Sequence, residues 1–333
     1  MKYTKMKTEN FSKFNIICPI CNSAKHRFRK NISGYKLFGC LGCNGEFSWP
    51  VKSSMDYDQP EEKRDFAKVL EKSLRRTFTY ASLATFLNLI KKGAILDVGA
   101  GPGTFIYHAH RLGFDTYAID LSESSLAEFS QNCPFSKFHI SSGEKFDMPK
   151  EWPDVFNVIS ALDVLEHAEN PLIAGQNIYN RLADNGYFIG SLPNRNRYYY
   201  KLFKVIDDFV LKNCGGDNPP YHMTFWRKRT VKVFLESLGF TDYYIFSGGL
   251  AWRKNISIGG RRSAVLSALV NKFYRNTSKI PLPVINFIEQ FGTHLMFLAR
   301  KEGVKGDLQK IGRIVEKKLY NKEIPFFIDG DIE

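Results

Sequence analysis

From Ala94 to Ser191 short strand-like runs alternate with stretches in which apolar residues recur every three or four positions. Ala94-Ile-Leu-Asp-Val98, Thr116–Asp120, Phe138–Ile140, Val155–Ser160 and Gly186–Ser191 read as strands. Helices are predicted through Ile106 to Leu112, over Ser122 to Ser130, and after the fourth strand. Strands alternating with helices predict a parallel, doubly wound α/β sheet. Tyr243–Ser247 and His294–Arg300 add sixth and seventh strands. Upstream, Phe66, Val69, Leu70, Leu74 and Phe78, then Leu83, Phe86, Leu87 and Ile90, keep helical spacing across Pro60–Lys92. The expected organisation is a small module over 1–50, a helical segment over 51–92 and an α/β domain over 93–301. That domain carries insertions at about 195–235 and 249–292, and a charged tail over 302–333 follows.

The N-terminal module is defined by cysteine. Cys18-Pro-Ile-Cys21 and Cys40-Leu-Gly-Cys43 form two C-x2-C knuckles separated by eighteen residues, a spacing expected of structural zinc. Each tight turn places two thiolates on one tetrahedral edge, and two turns close the shell with no position left for catalysis. About fifty residues bury little core, so the metal would supply much of the module's stability. His26–Phe38, basic and aromatic, fits a hairpin between the knuckles, and His26 is a spare ligand. Cys133 and Cys214 stand alone and read as packed thiols.

The first strand runs into Gly99-Ala-Gly101-Pro-Gly103-Thr-Phe, a turn that dehydrogenases also use. Asp97 precedes the first glycine, where a carboxylate opposes a pyrophosphate but favours a ligand bearing ammonium and sulfonium. Asp120, at the tip of the second strand, can accept hydrogen bonds from two ribose hydroxyls, which NAD would also offer.

These residues carry a family resemblance. LDVGAGPGTF (96–105), AID (118–120), GEKFDMP (143–149), FNVISALDVLEHAENP (156–171) and NGYFIGSLPN (185–194) resemble the successive motifs of class I S-adenosylmethionine-dependent methyltransferases. HMTFWRKRTVKVFLESLGF (222–240) is similar to the segment after the core in the ubiquinone-biosynthesis-like branch. The resemblance covers about residues 75–250, and the ribbon, the 249–292 insertion and the tail lie outside it. It implies a seven-stranded Rossmann-like sheet, with Gly99, Gly101 and Gly103 letting the backbone approach the methionine part of S-adenosylmethionine. It also implies Asp97 beneath that loop, Asp120 on the ribose and Glu144 at the adenine amino group.

Asp163, Glu166 and His167 stand at i, i+3 and i+4 after the fourth strand, positions that share one face of a helix. His222 arrives from beyond the fifth strand. Two carboxylates and two imidazoles can hold Mg²⁺ or Mn²⁺ with open positions, which would lower the pKa of a bound hydroxyl. The set resembles the E-x-x-E-H plus distal His of metal-assisted O-methyltransferases, with Asp163 in place of the first Glu. The alternative is that Glu166 and His167 only cap and pack the helix, with His167 available as a metal-free general base. Asn218-Pro-Pro-Tyr221 spells a signature of nitrogen methylation, but far from the fourth strand, and reads as a turn before His222.

The net charge of +13 is uneven: residues 93–190 carry five Lys/Arg against thirteen acids, and residues 191–301 eighteen against six. Basic flanks suit an anionic partner without choosing among phosphate, nucleic acid and lipid. Arg195-Asn-Arg197-Tyr-Tyr-Tyr and the segment after Arg261-Arg262 could form basic amphipathic helices, serving as a lid or as a peripheral membrane contact. No apolar run is long enough to span a membrane, the most apolar stretch (280–299) being interrupted by two prolines, and no secretory signal is evident. A cytoplasmic protein is therefore expected. Three functions remain open. The first is O-methylation of a small-molecule, glycan or lipid-linked acceptor. The second is RNA methylation with the ribbon holding RNA, and the third is a non-catalytic module that binds the cofactor.

Overall fold

A computed structural model describes residues 15–52, 65–76, 78–196, 218–248 and 294–320. The 249–292 insertion, residues 197–217 of the first insertion, and Cys214 lie outside the described residues.

The strands expected of an α/β domain form one sheet. They are β4 (Ala94–Val98), β5 (Asp115–Asp120), β6 (Lys137–Ile140), β7 (Phe156–Leu162), β8 (Leu182–Pro193), β10 (Asp242–Gly248) and β11 (His294–Arg300). Their order is β10-β11-β8-β7-β4-β5-β6. β4 is parallel to β5 and β7, as are β5 to β6 and β7 to β8. β11 is antiparallel to both β8 and β10, so the expectation of a wholly parallel sheet is corrected at one strand. Its first residue, His294, pairs with Gly248, the last of β10, so β11 turns back along its predecessor.

Neighbouring strand residues point to opposite faces, and the core divides accordingly. Leu96, Ile159, Phe188 and Phe297 enter one cluster together with Ile178 of α5 (Pro171–Arg181) and Phe234 of α6 (Lys228–Ser237). Ile95, Val158, Ile189 and Met296 enter the other, against α2 (Phe78–Leu89) and α3 (Thr104–Arg111). Each wholly buried side chain of this size contributes about 1.5–3 kcal/mol. Upstream of α2 lies α1 (Phe66–Arg76), and α4 (Glu123–Asn132) follows β5 with Ser122 capping its N-terminus. Within the expected charged tail, α7 (Asp307–Tyr320) buries Leu308, Val315 and Leu319 in the second cluster.

The N-terminal module is a second sheet. β1 (His26–Ile32) and β2 (Tyr35–Cys40) form the expected hairpin, turned by Ser33 and Gly34 at φ +50° and +81°. Positive φ at both central residues suits the right-handed twist of a two-residue hairpin. β3 (Glu46–Trp49) pairs with β2, and β9 (Thr224–Phe225) pairs with β3. The fourth strand therefore comes from the α/β domain. Ile16, Ile20, Phe38 and Phe47 join the same cluster as Ile159 and Phe234, so the module shares the domain's core. The seam is polar as well: Glu46, itself buried, accepts from Arg195 at 2.9 Å and Arg227 at 2.7 Å.

Candidate active site

The chain leaves β4 through a turn that only glycine fits. Gly99 has φ +74°, and a methyl there would lie 2.3 Å from Cγ2 of Val164. Gly101 also has positive φ, +51°, but a methyl there would meet open space. The amide of Gly101 donates to Oδ2 of Asp120 at 2.8 Å, and that of Ser122 to Oδ1 at 3.0 Å. The Asp120 carboxylate thus ties the glycine turn to the start of α4. Gly103 caps α3 at φ +90°, and its carbonyl accepts from the thiol of Cys133, which burial pushes up to about 12.

At the mouth of these turns lies a cavity of about 460 Å³, a size usual for small-molecule sites. Gly99, Asp120, Ser141, Glu144, Asp163 and Tyr221 are among its lining residues. Glu144 is held by the amide of Asn170, which donates to its Oε1 at 2.9 Å. Asp97 lies behind the wall, 2% exposed, with Ser160 donating to its Oδ1 at 2.7 Å. Burial pushes the Asp97 carboxyl up to about 7, opposed by the Ser160 hydrogen bond and reinforced by the charge of Asp120. Burial, Asp97 and Asp163 also raise the pKa of the Tyr80 phenol on α2, which is within charge range of both carboxylates. Carboxylates of Asp120, Glu144, Asp163 and Glu169 outnumber Lys145 around the cavity. Such a wall fits a ligand with ammonium and sulfonium charges better than a pyrophosphate.

The helix expected over Asp163–His167 is not formed. Asp163 has φ +54°, and residues 165–167 make a turn closed by the His167 amide on the Val164 carbonyl. Asp163 accepts from Ser191 Oγ at 3.0 Å and is not among the residues whose ligand atoms lie together, though its charge reaches His167. Glu166, His167 and His222 do converge, with one donor atom of each inside a 4.8 Å span. Glu166 is 1% exposed, and its Oε1 lies 4.0 Å from Nε2 of His167. Nδ1 of His167 meets the carbonyl of Tyr221 at 2.7 Å. A carbonyl only accepts, so Nδ1 carries the proton and Nε2 keeps its lone pair. Burial lowers the His167 pKa, which keeps the ring neutral.

Asn218–Tyr221 is a turn, as expected, yet it is placed at the site: Tyr221 lines the cavity and orients His167. Tyr221 and Tyr80 are the residues that sequence reasoning missed. The apparent nitrogen-methylation signature drew attention away from Tyr221, and Tyr80 sits unmarked in an apolar helix.

The four knuckle cysteines come together. Sγ of Cys18 lies 3.9 Å from that of Cys43, and Sγ of Cys21 lies 3.6 Å from that of Cys40. A tetrahedron with zinc–sulfur bonds of about 2.3 Å has edges of about 3.8 Å. Mutual hydrogen bonding raises the pKa of Cys18 and lowers that of Cys40.

Sheet order and cavity define a class I S-adenosylmethionine-dependent methyltransferase. A family model described as a methyltransferase domain matches residues 66–245, and the chain belongs to that family. The ubiquinone biosynthesis O-methyltransferase of Rickettsia felis is 26% identical over 138 residues, 41% of this chain and 57% of that protein. The enzyme of the same description from Rickettsia conorii is 30% identical over 128 residues, 37% of this chain and 43% of that protein. The chain thus spans about half the length of these curated relatives. A SAM-dependent methyltransferase from Archaeoglobus fulgidus is a similar solved structure. It is 19% identical, with a TM-score of 0.46 over 71% of this chain and 100% of that one. Among the described residues no helix is long and apolar enough to cross a membrane.

Proposed function

We propose that this protein transfers a methyl group from S-adenosylmethionine to a hydroxyl oxygen of a small-molecule, glycan or lipid-linked acceptor. The observation that carries this reading is the Glu166–His167–His222 cluster, with Glu166 and His222 buried and His167 lining a cavity walled by carboxylates. The similarity to enzymes described as O-methyltransferases supports oxygen as the acceptor atom.

The cofactor supplies an electrophilic methyl carbon on a positively charged sulfur. Asp120 accepts from the ribose hydroxyls and Glu144 meets the adenine amino group, while Gly101 gives the backbone access to the methionine part. Asp97 offsets the cofactor's positive charge from beneath the loop. His167 takes the hydroxyl proton at Nε2, because Tyr221 holds the proton already on Nδ1. The attacking oxygen then lies in line with the breaking carbon–sulfur bond, an alignment that accounts for most of the acceleration. His222 and the buried Glu166 fix the acceptor against His167. A divalent ion held by these three residues would take Nε2 of His167 as a ligand in place of its role as base, and the ion would itself supply Lewis acidity to the acceptor hydroxyl. One carboxylate with two imidazoles suits Mn²⁺ better than Mg²⁺, which prefers oxygen donors. At the knuckles, Cys18, Cys21, Cys40 and Cys43 would hold structural zinc.

The test is transfer of labelled methyl groups from the cofactor to fractionated cell extract. Label in the small-molecule, glycan or lipid pools, stable to ester hydrolysis and released by reagents that cleave methyl ethers, is expected. Label confined to RNA or protein overturns the proposal.

A further inference from the structure

Directly opposed residues of an antiparallel ladder share a face. In the four-stranded sheet Arg27 opposes Gly39, Gly39 opposes Glu46, and Glu46 opposes Phe225. The row thus runs from the ribbon onto β9. Gly39 is a notch in it, since a methyl there would lie 2.6 Å from Nε of Arg29, whose guanidinium therefore lies across β2. From the other side, Arg195 rests 4.6 Å over the Phe225 ring and bonds Glu46. Arg227 bonds the second oxygen of Glu46 and donates to the Asn44 carbonyl.

Arg195 and Arg227 hold the carboxylate of Glu46, and Arg29 lies within charge range of that carboxylate and of Arg27, Arg195 and Arg227. Arg195 and Arg227 are largely buried and hold the seam together. Arg27 and Arg29 are exposed, and among the described residues neither has an ion-pair partner. Burial lowers the Arg29 pKa and the like charges of Arg27, Arg227 and Arg195 lower it further, while Glu46 opposes them. The seam explains two of the arginines; the surplus charge of the other two calls for an anion.

The platform is joined through the chain to the proposed acceptor cluster. Phe225 is three residues beyond His222, and Arg195 four beyond Ser191, which donates to Asp163. At about 3.3 Å per extended residue these spans are roughly 10–13 Å. Planar guanidinium forks match phosphate oxygens two at a time, which a lone ammonium does not.

We propose that Arg27 and Arg29, at the rim of the Glu46–Arg195–Arg227 seam, bind a phosphate or pyrophosphate group carried by the methyl acceptor. This rests on the acceptor-methylation reading above and narrows it to phosphorylated acceptors. The group is anchored at the ribbon while a hydroxyl elsewhere on the same molecule reaches His167. The ribbon thereby becomes part of the substrate site.

The experiment is calorimetry on the full zinc-loaded chain, with inorganic pyrophosphate as probe at about 50 mM salt, where screening is modest. The double variant R27E/R29E is expected to lose about tenfold or more in pyrophosphate affinity while S-adenosylhomocysteine binds both proteins equally. R29A serves as a milder variant should the double one lose its thermal transition, and a partial loss is expected of it. Pyrophosphate affinity unchanged in both variants, or no binding to the parent protein, overturns the proposal. A short RNA oligonucleotide bound much more tightly than pyrophosphate through the same arginines overturns it in favour of nucleic acid. Phosphatidylcholine vesicles with and without phosphatidic acid separate the sources. Arginine-dependent sedimentation with the acidic vesicles supports a lipid-borne phosphate, and binding of free pyrophosphate alone supports a soluble one. Failure of S-adenosylhomocysteine to bind, with pyrophosphate still bound, removes the methyltransfer reading and leaves the anion platform standing.

Discussion

Phe47 and Thr224 face one another in antiparallel register, although the first lies four residues beyond the last knuckle cysteine and the second two residues beyond His222. The amides of Met223 and Thr224 both donate to the carbonyl of Glu166, at 2.8 and 3.1 Å. One short strand therefore ties the cysteine module to two members of the proposed acceptor cluster.

Removing the metal should loosen that strand. Zinc supplies about 10–16 kcal/mol to small modules of this type, more than so small a core can replace. We expect one zinc per chain by atomic absorption, and after chelation faster hydrogen exchange at Met223 and Thr224. Methyl transfer should fall much further than S-adenosylhomocysteine affinity. Exchange at both amides unaffected by chelation would show that the strand stands without the metal.

Two glycines of one turn should respond differently. Gly101→Arg meets no neighbouring atom but must adopt φ +51°, so it should abolish cofactor binding in calorimetry and lower the melting temperature only by the backbone strain. Gly99→Ala places a methyl 2.3 Å from Val164 at positive φ and should cost stability, about 1–3 kcal/mol for the strained backbone alone. Equal cofactor affinity in the Gly101 variant would move the cofactor elsewhere.

Loss of the acceptor cluster should show in turnover, not in cofactor affinity. His167→Ala and His222→Ala are each expected to reduce kcat by about 10²–10⁴, the usual worth of a positioned acid or base. S-adenosylhomocysteine should bind both variants as it binds the parent. Full activity in His167→Ala would remove the proposed base.

Much of this arrangement is legible in the sequence, for identifiable reasons. The strands β4, β5, β7, β8 and β11 bury both faces or nearly so, and they appear as apolar runs that periodicity detects. The cysteines show by spacing alone. What escaped depends on distant partners. β9 has two residues, too few for any pattern, and exists because β3 offers it an edge. The spacing of Asp163, Glu166 and His167 fits a helix. In the fold, however, Asp163 takes a left-handed φ, and the Glu166 carbonyl serves the incoming amides of residues 223 and 224. In α7, charged residues diluted the apolar stripe of Leu308, Val315 and Leu319, so its packing onto the sheet was hidden.

The seam carboxylate should matter more to stability than to chemistry. Glu46→Gln leaves Arg195 and Arg227, whose side chains are 13% and 19% exposed, without their counter-charge. Breaking a buried pair in this way costs about 3–5 kcal/mol. A fall in denaturation midpoint is expected with cofactor affinity retained. A midpoint equal to that of the parent would mean that solvent already screens the two arginines.

The strand-end carboxyl of Asp97 gives the protein a defined pH response. Its folded pKa is raised to about 7 from 3.8, so between those values the folded state keeps a proton that the unfolded chain has released. Stability from this group is complete below pH 3.8 and is lost as pH rises through about 7. Cofactor binding runs the other way, because the positively charged ammonium of S-adenosylhomocysteine favours the ionised carboxylate and so expels the proton. Affinity for S-adenosylhomocysteine should therefore climb with pH up to about 7 and level off above it, with proton release measurable by calorimetry in buffers of different ionisation enthalpy. Asp97→Asn should bind more weakly at pH 8, lose this slope, and gain thermal stability relative to the parent as pH rises. Binding by the parent protein that is flat across the range, with no proton released, would place the cofactor's charge out of reach of Asp97.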